Sequence, residues 1–154
     1  MGQKRNGVIE MRTMSSFYNL VNNLDAVKKD WRDLQFVTNQ TEEVCWEALK
    51  QDPSALRFIK EPTESMCQFA VQKNGLALRW VKNQTEELCW AAIRQTPYAL
   101  MFVKEQTEDM CKEAVYEDGM AVACVHDLTE DIKKAAIKQN PQAESVIRLR
   151  ESYV

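Results

Sequence analysis

The chain has 154 residues, of which 45% are hydrophobic and 28% charged, with 20 basic against 23 acidic side chains and a net charge of −3. That length suits one domain with a sizeable core, and the composition is that of a globular chain rather than a disordered one. The slightly acidic balance argues against a generic nucleic-acid binder, and four glycines with four prolines point to helices rather than many turns.

The opening MGQKRNGVIE is polar and basic, with no apolar run behind it and no Ser or Thr at the sixth position for myristoylation. No apolar stretch approaches the length of a membrane span. The expected location is cytoplasmic, away from membranes, so the sequons at Asn39 and Asn83 are expected to stay unglycosylated. Residues 1–18 lie outside any periodic frame, and GVIEMRTM within them reads equally as a strand, a helical turn or an arm.

From Asn19 a frame begins, weakly. Residues 19–32 read as a degenerate cap with Ala26 and Val27 on the core stripe, and Leu34, Phe36 and Val37 match Leu56, Phe58 and Ile59. The frame then becomes explicit: NQTEEVCW at Asn39 to Trp46 returns as NQTEELCW at Asn83 to Trp90. Thr41, Thr63, Thr85, Thr107 and Thr129 recur every 22 residues (63 − 41, 85 − 63, 107 − 85, 129 − 107). Ala48, Ala70, Ala92, Ala114 and Ala136 follow them, as do Ala55, Ala77, Ala99, Ala121 and Ala143. A fixed period of this length marks a repeat architecture. The units run at about 33–54, 55–76, 77–98, 99–120 and 121–142, inside a repeat domain of residues 19–154.

Each unit reads as two short helices. Thr is a good N-cap, the acidic pair behind it (Glu42-Glu43, Glu86-Glu87, Glu108-Asp109) suits the positive helix end, and Val44, Cys45, Ala48 and Leu49 make one apolar stripe. Pro53, Gly75, Pro97, Gly119 and Pro141 mark the turn, with Gly expected as a C-terminal cap. The second helix is shorter, as in PSALRFIK and GLALRWVK, and Lys60, Lys82, Lys104, His126 or Arg148 closes it against the negative helix end. At about 1.5 Å per residue the helices are only about 16 and 11 Å long. Neither is stable alone, so stacking must supply the core.

A longer period lies above this one. Pro alternates with Gly at the turn, while Trp46, Gln68, Trp90 and Lys112 share one position, so the larger unit is a 44-residue double repeat (90 − 46). At the far end Lys133, Lys134, Glu144 and Ser145 replace apolar or semi-apolar positions, which suits a terminal cap over 143–154. The fold class is all-α: a short solenoid of five to six helical hairpins, capped at both ends.

The tandem pattern alrfvk-qTee-c--A---np-AL over roughly residues 33–148 resembles a family of tandem helical-pair repeats of unknown function, found in bacterial, phage and giant-virus proteins. The resemblance implies an all-helical stack and transfers no active site. The cysteine column and the paired tryptophans are not assigned to that family pattern.

Chemistry is weighed column by column. Cys45, Cys67, Cys89 and Cys111 sit at equivalent positions on successive helices. Packed helices lie about 8–10 Å apart, too far for disulfides, which need Cα atoms within about 7 Å, and for one zinc centre. They are expected to be small buried residues, with no metal and no cofactor. His126 takes a lysine's place in its column, and no phosphate loop or nucleophile elbow is present, so no catalytic residue is expected and the chain is read as a non-enzyme.

Two surface columns remain. The basic one, Lys60, Lys82 and Lys104 with His126 and Arg148, has Arg57 and Arg79 one turn earlier. It would meet phosphates, but helix-end charge accounts for most of it and no aromatic partners are expected to interleave. The aromatic one is Trp46 and Trp90, beside Tyr98 and Tyr116 at positions polar in most other copies. Packing between repeats competes there with anchoring a partner, since Trp and Tyr dominate binding hot spots. The expected function is a small non-enzymatic protein-binding module. A soluble inhibitor or regulator, such as a phage-encoded inhibitor of a host defence enzyme, is the specific version; a nucleic-acid-binding repeat using the basic column is the alternative.

Overall fold

A computed structural model describes residues 23–152; the arm expected over 1–18 lies outside them. The described residues form helical hairpins with a 22-residue period, and the chain divides into two compact units between Pro62 and Thr63. In the first unit, α1 (residues 23–29) and η1 (Trp31–Phe36) lead to α2 (Glu42–Gln51) and η2 (Pro53–Phe58), where η denotes a 3₁₀ helix. The second unit runs α3 (Glu64–Lys73), η3 (Gly75–Trp80), α4 (Glu86–Gln95), η4 (Pro97–Phe102), α5 (Glu108–Glu117), η5 (Gly119–Cys124), α6 (Glu130–Gln139) and α7 (Ala143–Glu151). Here the α helices form one layer, α3 to α6 in order, and η3 to η5 form the other. At the end of the stack, α7 replaces the 3₁₀ helix and packs on α6 and η5.

The threonine column starts every full α helix. Thr41, Thr63, Thr85, Thr107 and Thr129 each accept the third following N–H on the side-chain oxygen, at 3.3 Å where Thr85 meets Leu88. Eleven residues after each threonine, one extended residue ends the α helix and begins the next. Asp52, at φ −150°, donates its N–H to Ala48 and accepts the Ser54 N–H on its carboxylate at 2.7 Å. Asn74, Asp118 and Asn140 repeat that double cap, whereas Thr96 makes no side-chain cap bond.

In every described hairpin but the last, the second helix is 3₁₀ rather than α. Six residues between an extended capping residue and an extended β-branched residue (Ile59, Val81, Val103, Val125) leave room for i→i+3 bonds only, as from Ile59 to Leu56. At about 2.0 Å rise per residue such a helix keeps nearly the length expected of a short α helix.

The core follows the apolar stripe. In the first unit Val44, Cys45, Ala48 and Leu49 pack with Leu34, Ala55 and Leu56; in the second the corresponding residues recur, and Ala70, Ala92, Ala114 and Ala136 are fully buried. Among the described residues no polar or charged residue is buried.

The turn glycines do a different task from the one expected. No described glycine has positive φ, so neither is a left-handed cap. Gly75 and Gly119 open 3₁₀ helices pressed against the next α helix: a Cβ on Gly119 would lie 2.5 Å from the Ala136 carbonyl oxygen, and one on Gly75 would strike that of Ala92. Their free N–H groups are also used. Gln139 Oε1 accepts the Gly119 N–H at 2.7 Å while its Nε2 donates to the Glu117 carbonyl. Gln95 does the same for Gly75 and Lys73. Pro97 has no N–H to offer, and the residue twenty positions on is Glu117 instead of glutamine. The Pro–Gly alternation is thus matched by an alternation in its hydrogen-bond partner.

A second glutamine column ties consecutive 3₁₀ helices together. Gln106 Nε2 donates to the carbonyls of Leu100 and Cys124, at 2.8 and 2.9 Å, and its Oε1 accepts the His126 N–H. Gln84 and Gln40 make the same three bonds one and three repeats earlier. Position 62 carries Pro, which has no amide, and position 128 carries Leu; there Arg150 of α7 takes over, donating to the carbonyls of Val122 and His126.

Candidate partner-binding surfaces

Two of the cysteines lie against the glutamine braces. All five are free and buried. Cys111 donates its thiol to Gln106 Oε1 at 3.5 Å and Cys89 to Gln84 Oε1 at 3.8 Å. Burial pushes the Cys111 thiol up to about 11, helped by the negative charges of Asp127 and Glu108, and burial raises the other four as well. These thiols are weak nucleophiles. Among the described residues no group of three or more His, Cys, Asp or Glu is placed to hold a metal ion.

In α2 to α5 the acidic residue that opens the helix clasps the residue four positions on. Glu42 accepts the Trp46 indole N–H at 3.2 Å, Glu64 the Gln68 amide at 3.2 Å, Glu86 the Trp90 indole at 3.3 Å, and Glu108 pairs with Lys112 at 2.8 Å. Trp, Gln, Trp and Lys differ in hydrophobicity yet share one property, a long side chain with an N–H at its tip. That explains the mixed column. Trp46 and Trp90 are each half-buried, and the Arg94 guanidinium stands 5.5 Å from the Trp90 ring centre.

The two tyrosines part company. Tyr116, on the next helix of the α layer, is 75% exposed. Tyr98, on η4, donates its hydroxyl to Asp118 at 2.8 Å, and that bond, more than burial, raises its pKa.

The lysine column is tied to the backbone behind it. Lys60 Nζ donates to the Thr38 carbonyl at 2.8 Å and Lys104 Nζ to the Lys82 carbonyl, each 22 residues back, so the base serves the preceding repeat rather than the end of its own helix. Lys82 is exposed. Shallow open grooves of about 360 and 380 Å³ lie between successive turns of the second unit, lined by Lys82, Glu86 and Lys104 and by Lys104, Glu108 and His126 respectively. Both signs of charge face each groove, which favours neither a polyanion nor a polycation.

Within the second unit the candidates fall on two different layers. Trp90 and Tyr116 belong to the α layer of the second unit; Tyr98, Lys82 and Lys104 belong to its 3₁₀ layer and the turns after it; Trp46 and Lys60 belong to the first unit.

Aromatic rings do interleave with the basic side chains, contrary to expectation. Arg79 lies 5.6 Å from the Trp80 ring centre and 5.0 Å from that of Phe102, and Arg57 lies 4.4 Å from Phe58 and 5.6 Å from Trp31. The signal was present as a column, Phe36, Phe58, Trp80 and Phe102 at 22-residue spacing, hidden because each ring directly follows Gln35, Arg57, Arg79 or Met101 in a stretch read as core.

No protein-family model matches the chain, and no curated protein or solved structure matches it. No described helix is long and apolar enough to cross a membrane.

Proposed function

We propose that the chain is a non-enzymatic, protein-binding helical-repeat module whose α layer carries the anchor. The observation that supports this is the setting of Trp90. Its indole is clasped by Glu86 at one edge and flanked by Arg94, and the residue stays partly open on the same α layer that carries the exposed Tyr116 of the next helix. An aromatic held in one rotamer loses little entropy on contact, which is what a hot spot requires. Membership of the tandem helical-pair repeat family belongs to the same proposal. So does the narrower role of a small inhibitor of an enzyme, which rests on the resemblance to repeats of phage and giant-virus proteins.

The test uses Trp90→Gln and Trp46→Gln. Gln68 makes the same clasp to Glu64, so both variants keep the helical spectrum and most of the stability. A partner captured with the wild-type chain, purified and titrated by calorimetry, binds Trp90→Gln weaker by about 2 kcal/mol or more. Unchanged affinity removes Trp90 as the anchor, and a catch that disappears on nuclease treatment turns the reading to nucleic acid.

A further inference from the structure

The 3₁₀ layer of the second unit carries a patch of different chemistry. Arg79 on η3 spans two rings, Trp80 of its own helix and Phe102 of the next, and its guanidinium is exposed. Among the described residues no carboxylate pairs with it, although ion pairs form on α5, on α6, on α7 and between α6 and α7. Met101, at the same register position one repeat later, is 53% exposed, and Trp80 and Phe102 are half-buried. Arginine, tryptophan, phenylalanine and methionine side by side are the residues enriched at the centres of protein interfaces, where lysine and glutamate are depleted. A guanidinium resting on ring faces keeps its N–H edge free for a planar acceptor and is weakly hydrated, so little water must be stripped from it.

We infer that this strip, Arg79, Trp80, Met101 and Phe102, is a docking site for an extended peptide segment of a partner protein that alternates carboxylate and apolar side chains. The inference rests on the reading of the chain as a protein-binding module and adds a second surface with its own chemistry. A carboxylate meets the Arg79 fork in bidentate fashion, and apolar neighbours cover Met101 and the open ring edges. Nucleic acid fits less well: Glu105 stands directly after Lys104, acidic side chains open α3 to α6, and the whole chain is slightly acidic, so a long phosphate backbone meets repulsion as well as attraction.

The experiment follows fluorescence anisotropy with three labelled probes on the full chain: a decapeptide alternating glutamate and leucine, its glutamine–leucine counterpart, and a 20-nucleotide oligothymidylate. The glutamate peptide saturates and binds at least tenfold more tightly than the glutamine peptide. Arg79→Gln weakens it at least tenfold, and Arg79→Lys, which keeps charge but not the planar fork, falls between. Met101→Gln weakens it severalfold. Both Arg79 and Met101 are exposed, and a circular dichroism melt within a few degrees of wild type shows that the fold is kept. Tighter binding of oligothymidylate than of the glutamate peptide, equal binding of the two peptides, or indifference to Arg79→Gln overturns the strip. A glutamate peptide that fails to bind, while Trp90→Gln still weakens the captured partner, removes the strip and leaves the α-layer anchor standing.

Discussion

Gln106 Oε1 receives the Cys111 thiol at 3.5 Å, five residues along the chain, and the His126 N–H from the following repeat at 2.8 Å. One carbonyl oxygen therefore joins an α helix to the turn beyond the next 3₁₀ helix, while the amide nitrogen of the same side chain holds the 3₁₀ carbonyls of Leu100 and Cys124. Removing it strands several groups at once. Gln106→Ala is expected to lower unfolding free energy by about 2–3 kcal/mol, well beyond one ordinary hydrogen bond. Urea titration checks this, and a loss below about 0.5 kcal/mol would show that water replaces the brace without cost.

The same geometry sets the chemistry of the thiols. With burial holding Cys111 up to about 11 against an ordinary 9.0, the native protein binds more protons than the unfolded chain between those values. Stability therefore falls as pH rises through that window. The fall is shallower in Cys111→Ala, measured as the difference in urea midpoint between the two proteins at pH 8 and pH 10.5. Iodoacetamide at pH 8 leaves the buried cysteines unmodified until denaturant is added.

Gly119 separates two accounts of a turn glycine. Its φ is not positive, so alanine meets no backbone strain and would by itself reduce the entropy of the unfolded chain. A Cβ would however lie 2.5 Å from the Ala136 oxygen and 2.8 Å from Gln139 Oε1. Gly119→Ala is expected to cost about 1–3 kcal/mol through overpacking. A variant more stable than wild type in thermal unfolding would rule out the close approach.

Thr85 and Ala92 test cap against core within α4. Thr85→Ala removes one cap bond and costs about 1 kcal/mol. Ala92→Glu places a charge at a fully buried position whose own backbone oxygen crowds Gly75, and costs several times more or prevents folding. Equal denaturant midpoints for the two variants would move the core face elsewhere.

Much of this was legible because the sequence states each position five times. The Thr column located every full α helix, and the Ala column located the helix contacts, since only a methyl fits where neighbours press together. What stayed hidden was the use of polar side chains across repeats. Gln84 and Gln106 look like surface residues beside a cap, and nothing in their type says that their amides reach carbonyls 18 residues ahead. The 3₁₀ form of the second helix was masked likewise, because Ala55, Leu56 and Ile59 satisfy a 3.6-residue period as well as a 3.0-residue one over so short a span. The mixed Trp46, Gln68, Trp90, Lys112 column resisted reading by hydrophobicity and resolves only by donor geometry.

The pairing of Gly75 with Gln95 and of Gly119 with Gln139 restricts how the gene can lengthen or shorten. Excising residues 77–98 would bring Glu117 to the place of Gln95. A carboxylate there still accepts the Gly75 N–H but cannot donate, so the Lys73 carbonyl would face a negative oxygen instead of an amide. Excising two consecutive copies restores a glutamine. Unequal crossing-over between copies therefore yields sound proteins only in steps of two, and each such step carries one tryptophan of the Trp46 and Trp90 kind with it. Descendants of this chain are expected to differ in anchor number by whole units, their reach and their grip on a partner changing together.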